Sequence, residues 1–258
     1  KGDMYSYGFE KTPWFPIMDK IKSVIISEGI KEIKKYAFYY GNLEYVYLPQ
    51  SLNTLGESSF GCCSNLLSVI VPGSKLRKVS RSAFNGALLK SVVIEEGVSE
   101  IDDYAFHGCS IEELTLPSTI CAIGDCGIYA EYLEVVYSYI KKPFDITDGV
   151  YYSLYRINSK TNMYVPVGTA DLYLSTEGWN IATIIEMTVG IEEEEIESTS
   201  TPSFYSANGI LYSKKSVNYS VFNISGQCIY NGNAQELSLP KGLYIVRTIN
   251  SVEKILVW

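Results

Sequence analysis

The sequence predicts a β-rich solenoid. It should form a right-handed stack of about six turns of 22–23 residues, each laying one parallel strand beside the last, followed by a small antiparallel β-sandwich. Three observations predict this. Segments beginning at Ile21, Leu43, Leu66, Leu89, Ile111 and Leu133 repeat one pattern, at steps of 22, 23, 23, 22 and 22 residues. Within each segment apolar and outward residues alternate with the period of a strand. At 190–202 the composition breaks into five glutamates followed by Ser, Thr and Pro, and beyond it alternation returns. The expected organisation is therefore a solenoid with its caps over 1–189, an acidic linker over 190–202 and a β-sandwich over 203–258.

Within one turn the elements follow in a fixed order. Leu43-Glu44-Tyr45-Val46-Tyr47-Leu48-Pro49 places Val46 and Leu48 on one face and Tyr45 and Tyr47 on the other. The inward pair recurs as Val24/Ile26, Val69/Val71, Val92/Ile94 and Leu114/Leu116. Pro49, Pro72 and Pro117 end three of these strands, because proline has no amide to give the ladder. Gly29 and Gly97 suit the tight bend that follows in other turns. Next comes a lone apolar residue: Ile33, Leu55, Val79, Ile101 or Ile123. A small residue and Phe come after it, as Ala37-Phe38, Ser59-Phe60, Ala83-Phe84 and Ala105-Phe106, and stacking should bring these rings into one buried column. The fifth turn substitutes Gly127-Ile128, and the pattern decays after Leu133.

A period in the low twenties with this pattern is the signature of a leucine-rich repeat. The turns resemble those of the BspA-type bacterial surface leucine-rich-repeat proteins. The matching residues include Leu114-Thr115-Leu116-Pro117, Ile101 and Ala105-Phe106-His107-Gly108-Cys109. Thr12-Pro13-Trp14-Phe15-Pro16 looks like that family's N-terminal cap. Tyr164-Val165-Pro166-Val167-Gly168-Thr169, with Tyr173 and Gly178-Trp179, looks like its closing segment of strand, short helix and Trp plug. The resemblance implies secretion or surface display and adhesion-type binding, and it carries over no catalytic residue.

After the acidic run, Val217 to Ile224, Gln227 to Tyr230, Leu237 to Leu239, Leu243 to Thr248 and Lys254 to Val257 read as strands. Ser225-Gly226 and Pro240-Lys241-Gly242 read as turns. Val221-Phe222-Asn223-Ile224-Ser225-Gly226-Gln227 and Lys241-Gly242-Leu243-Tyr244-Ile245-Val246 resemble the C-terminal domains that direct proteins through the type IX secretion route of Bacteroidetes. This resemblance implies export to the outer-membrane surface of a Gram-negative bacterium, or release from it. No signal peptide is present: Lys1-Gly2-Asp3-Met4 lacks an apolar stretch, and the start is expected to be a trimmed one.

A formal net charge of -8 disfavours nucleic acid as a partner. No apolar run reaches the roughly 18 residues of a membrane helix. Cys63 and Cys109 fall at equivalent places two turns apart, about 9.6 Å, which is too far for a disulfide. These two and Cys62 read as small buried side chains. Cys121 and Cys126 are near enough in sequence to pair.

Catalysis and metal binding find little support. His107 is the only histidine, so any Ser-His-Asp or Cys-His site must use it; a surface or capping role is the simpler reading. The cysteines lack zinc-site spacing. Glu112, Glu113 and Glu134 lie near neighbouring strands, but an open ladder buries carboxyls too little to tune them for glycoside chemistry. Asp102, Asp103, Asp145 and Asp148 have no calcium-loop spacing. No cofactor is expected, and the chain reads as non-enzymatic.

The candidate binding residues point outward from the strands. One column runs Ile25, Tyr47, Ile70, Val93, Thr115, Tyr137, and five of these six are large and apolar or aromatic. Stacked at about 4.8 Å they make a stripe of roughly 24 Å. Its neighbour runs Ser23, Tyr45, Ser68, Ser91, Glu113, Val135. A contiguous apolar stripe suits a host or bacterial surface protein, and Tyr45 with Tyr47 suits a glycan as the alternative. The β-propensity of branched and aromatic residues accounts for the same stripe without a ligand.

Overall fold

The computed structural model describes residues 8, 11–147, 153–187, 204–207, 210–213, 219–222, 228–239, 242–248 and 252–257. The chain divides into two compact units, Lys1–Val189 and Gly190–Trp258. The acidic segment 190–202 lies outside the described residues.

In the first unit the alternating segments form a parallel ladder. Ser23–Ile25 pairs in register with Tyr45–Tyr47. Ser68–Val71, Ser91–Ile94, Glu113–Leu116, Val135–Ser138, Asn162–Val165 and Thr183–Glu186 make one six-stranded parallel sheet in sequence order. The inward residues are buried, from Val69 and Val71 through Leu114 and Leu116 to Met163 and Val165. The ladder outlasts the six turns read from sequence, because Asn162–Val165 and Thr183–Glu186 add two strands. The step from Val135 to Asn162 is 27 residues, so the 22–23 spacing that reveals the earlier turns is lost there.

Each of the first five turns also carries a second, two-residue strand, where the sequence reading allowed one strand per turn. The lone apolar residues sit in these strands: Glu32–Ile33 pairs with Thr54–Leu55, and Lys78–Val79 with Glu100–Ile101 and then Ala122–Ile123. Two paired residues are too short to show a period.

The Phe-bearing turns are hydrogen-bonded to one another even where they are not strands. Phe38, Phe60 and Phe84 donate their amides to the carbonyls of Ser59, Ala83 and Ala105 in the next turn. Alternate amides, those of Ala37, Tyr39 and Gly41, instead close short loops onto Lys34, Tyr36 and Phe38. Reversing the peptide direction at every second residue needs left-handed backbone. Tyr36, Ser58, Ser82, Tyr104 and Cys126 adopt it, at φ of 59°, 52°, 55°, 56° and 48°. A non-glycine residue there is strained by about 1–2 kcal/mol, which the inter-turn hydrogen bond offsets.

The aromatic column forms as the sequence predicts. Phe38, Phe60, Phe84 and Phe106 stack with centroids 5.1, 5.5 and 5.3 Å apart and planes within 11° of parallel. Trp14 extends it, stacking on Phe38 at 5.5 Å and donating its indole N–H to the Ala37 carbonyl at 2.7 Å. Pro16 stands in the first turn of the 3-10 helix Phe15–Lys20, which follows Trp14. At the C-terminal end the short helix Ala170–Ser175 buries Tyr173, whose hydroxyl donates to the Ile140 carbonyl and lies 2.6 Å from Ser138 Oγ. Trp179 packs edge-on to Tyr173 and gives its N–H to the Phe144 carbonyl.

Cys62, Cys63, Cys109, Cys121 and Cys126 are all free thiols, so Cys121 and Cys126 do not pair. Cys63 and Cys109 are more than small apolar fillers. Each thiol reaches back 3.2 Å to the carbonyl of a Phe in the preceding turn, Phe38 and Phe84 respectively. Burial pushes the Cys63 thiol up to about 12 and raises that of Cys109 as well.

Among the described residues of the second unit every pairing is antiparallel. Phe204–Ala207, Ile210–Ser213 and Glu236–Ser238 form one sheet. Cys228–Gly232, Tyr219–Phe222, Gly242–Thr248 and Val252–Val257 form the other, with a register shift between Val221 and Phe222. Phe204, Leu211, Tyr219, Val221, Leu239, Tyr244 and Val246 make their own core. The hairpin of Phe204–Ala207 and Ile210–Ser213 is absent from the sequence reading; the predicted turn at Ser225-Gly226 lies outside the described residues.

Two consequences are measurable. Phe84 is fully buried between two rings, so Phe84→Ala should cost about 3–5 kcal/mol in denaturant unfolding. Ser59 occupies the small-residue position filled by Ala37, Ala83 and Ala105, and its buried hydroxyl has no hydrogen-bond partner among the described residues. Ser59→Ala should therefore stabilise the chain by roughly 1 kcal/mol, seen as a raised melting temperature.

Candidate functional site

The outward face of the ladder is built by strict register. Ile70, Val93, Thr115, Tyr137, Tyr164 and Ile185 face one another strand by strand. Ile25 and Tyr47 occupy the same column in the first pair of strands. Tyr164 and Ile185 are members that the sequence reading left out of the stripe. Their signal was present: Tyr164-Val165-Pro166 repeats the strand-then-proline pattern. The second column places Tyr45 opposite Ser23, then Ser68, Ser91, Glu113, Val135 and Asn162 in line.

Exposure along the stripe is uneven. Ile25 is 71% exposed, Tyr47, Val93 and Tyr137 are half-buried, and Ile70 and Thr115 are buried at 8% and 6%. A wholly solvent-facing column is therefore not what forms. Side chains about 4.8 Å apart screen one another's flanks. The Thr115 hydroxyl has no hydrogen-bond partner among the described residues. Tyr137 and Tyr164 stack at 5.2 Å with planes 16° apart, an aromatic pair at the C-terminal part of the face.

The N-terminal part is organised around Glu28. Its carboxylate accepts the Tyr47 hydroxyl at 3.0 Å and the amides of Gln50 and Ser51 at 2.9 and 3.1 Å. Burial alone would raise this carboxyl's pKa, but the hydrogen bonds from Gln50, Tyr47 and Ser51 outweigh it and hold the group below its ordinary value. The Tyr47 phenol is pushed up to about 12, by burial first and by its bond to Glu28 second. Burial also raises Tyr45. Both tyrosines thus have structural work, and replacing them is not neutral for folding.

The same clamp recurs: Glu96 accepts the Ser118 amide at 2.7 Å and hydroxyl at 3.0 Å. Ser51 and Thr119 complete it. Each hydroxyl accepts the amide of a left-handed glycine, Gly29 or Gly97, and donates to the carbonyl of Ile30 or Val98. The pairing of Glu-Gly with Pro-x-Ser/Thr one turn later went unread in the sequence, although its spacing of 22–23 residues was available.

The other candidate groups are engaged elsewhere. Glu112 pairs with Lys90 at 2.7 Å, Asp102 with Lys78 at 3.0 Å and Asp103 with Arg81 at 3.6 Å. Asp145 accepts the amide and hydroxyl of Thr147, while Asp148 lies outside the described residues. His107 sits edge-on between Tyr104 and Tyr129, and burial lowers its pKa. Among the described residues no three His, Cys, Asp or Glu side chains gather to hold a metal ion. No helix among them is long and apolar enough to cross a membrane.

A stack of parallel strands at a spacing of 22–23 residues, with a buried inward pair in each and a column of Phe rings, defines a leucine-rich-repeat solenoid. Residues 14–159 match the BspA-type leucine-rich-repeat region, in six copies. The chain belongs to that family. No curated protein matches it.

Glu28 supplies a pH test. Its folded pKa is depressed below 4.5, so its contribution to stability is present above the unfolded value and is lost as pH falls through the folded one. Unfolding measured between pH 6 and about pH 3 should show a smaller acid-induced loss in Glu28→Gln than in the wild type.

Proposed function

We propose that this chain is a non-enzymatic binding protein, secreted or displayed on a bacterial surface, which holds a host or bacterial protein against the outward face of its ladder. One observation carries the reading: the register keeps Ile70, Val93, Tyr137, Tyr164 and Ile185 in a single column across one six-stranded sheet. An apolar and aromatic stripe of this kind, bordered by Ser68, Ser91, Glu113 and Asn162, has the composition of an interface core with a polar rim. Family membership supports it, since BspA-type repeats are commonly protein-interaction and adhesion modules of surface or secreted bacterial proteins. The unit Gly190–Trp258 serves export or attachment in this reading.

The test is binding of the full chain to a panel of extracellular-matrix proteins, with a glycan array run beside it. Tyr137→Ser with Tyr164→Ser removes the stacked pair and should weaken protein binding by about 2 kcal/mol or more, roughly thirtyfold. Circular dichroism must show the double variant folded. Undiminished binding to every partner would remove the ladder as the site. A glycan signal lost in the same variant would change the class of ligand.

A further inference from the structure

The turns that carry the Phe column present a second surface between the two-residue strands and the next ladder strand. The residue after each column member runs Tyr39, Gly61, Asn85, His107, Tyr129, Tyr155. Three consecutive aromatic rings thus close the C-terminal end of the column. His107 and Tyr129 lie 5.7 Å apart edge-to-face, and Tyr129 and Tyr155 lie 6.0 Å apart and tilted. Tyr132 joins them at 6.3 Å from Tyr129, tilted by 48°, and is 53% exposed. Arg156 lies over the rings of Tyr129 and Tyr155 at 5.9 and 5.6 Å and pairs with Glu131 at 3.1 Å, while Tyr129 donates its hydroxyl to the same carboxylate.

The repeat is its own control for what the fold requires. Gly61 and Asn85 fill the position of Tyr129 in turns that stack as well. Asn42, Asn65, Leu88 and Ser110 fill the position of Tyr132. Neither position needs a ring to build the turn. Rings gather in the first Phe-bearing turn as well, where Tyr39 lies 5.5 Å from Tyr36 and 4.6 Å from Tyr40; at the C-terminal end the exposed ring, Tyr132, belongs to the same cluster as the Arg156–Glu131 pair.

We propose that this cluster is a saccharide-binding site, distinct from the ladder face. Tyr132, 53% exposed, offers the open ring onto which the C–H face of a pyranose packs, and the half-buried Tyr129, tilted by 48° to it, bounds that surface. Aromatic side chains supply such contact with few rotors to freeze. Glu131 and Arg156, the latter lying over the rings of Tyr129 and Tyr155, have side chains 38% and 53% exposed. Together they offer an acceptor and a fork of donors to neighbouring hydroxyls. His107, whose pKa burial lowers, adds a neutral imidazole able to donate from one nitrogen and accept at the other. The class of sugar follows from charge. Arg156 is paired with Glu131 and Arg81 with Asp103, and the chain as a whole carries -8. The site therefore suits neutral hexose units rather than acidic sugars.

The experiment is titration calorimetry of the full chain with four neutral oligosaccharides, built from glucose, galactose, mannose and N-acetylglucosamine. At least one should bind, and Tyr132→Ala should weaken it tenfold or more with an unchanged melting temperature. Tyr129→Phe, which removes only the hydroxyl held by Glu131, should weaken it less. Tyr40→Ala, which removes a tyrosine that is 63% exposed in the first Phe-bearing turn, should leave it intact. The proposal is overturned if none of the four binds, if binding survives Tyr132→Ala, or if Tyr40→Ala weakens it as much. None of these results bears on a protein partner at Tyr137 and Tyr164.

Discussion

Successive turns of this chain meet at the spacing of hydrogen-bonded strands, about 4.8 Å, and each residue therefore faces its own counterpart one turn away. That constraint is enforced where no strand exists. In the Phe-bearing turns alternate amides are given to the next turn, at the expense of left-handed backbone at Tyr36, Ser58, Ser82 and Tyr104. Once the spacing is fixed, like must pack on like. Phe rings find the offset stack, hydroxyls of Ser51 and Thr119 find the bend of the previous turn, and Cys63 and Cys109 find a Phe carbonyl. Exposed ion pairs follow the same rule, with Lys22, Lys35, Lys78 and Lys90 each facing an acid one turn on, at Glu44, Glu57, Glu100 and Glu112. Such pairs add little energy individually, but any slip in register breaks all of them together.

Periodicity is the reason so much of the fold could be read before the structure. Six copies of a pattern average out the noise of any one copy, so the inward pairs and the Phe column were legible residue by residue. Legibility failed where the period failed. The closing strand at Tyr164-Val165 was legible, but the 27-residue step before Asn162 hid its place in the ladder, and Thr183–Glu186 was not read at all, so Tyr164 and Ile185 were left out of the stripe. The two-residue strands are below the length at which alternation exists at all. The Glu28 clamp was missed for a different reason: its partners are one turn away, and a reading along the chain does not look sideways. Burial of Ile70 and Thr115 was likewise outside the reach of alternation, which reports the side of the sheet and not the height of the neighbours.

The two faces of the solenoid answer differently to the demands of stacking. On the ladder, β-propensity and binding favour the same residues, so Val93 or Ile70 does not distinguish them. In the Phe-bearing turns the two demands separate, because Gly61 and Asn85 show what stacking accepts there. Aromatic residues at Tyr39, His107, Tyr129 and Tyr155 are additions to that background, whereas on a strand β-propensity would account for them. A repeat protein thus carries its own reference sequence, and departures from it are more informative than residue type alone.

Tryptophans close both ends of the core. Trp14 lies nearly parallel to Phe38, at 18°, and Trp179 stands at 82° to Tyr173, each with its indole N–H held by a backbone carbonyl. The forces that join one turn to the next have no preference for turns of the same molecule. A stack ending on a bare phenylalanine would offer that ring to another chain, and the product would be a filament growing one protein at a time. Here the first ring, Phe38, is covered by Trp14 of the same chain, and the last, Phe106, is followed by Ile128, so neither end of the column is a bare phenylalanine.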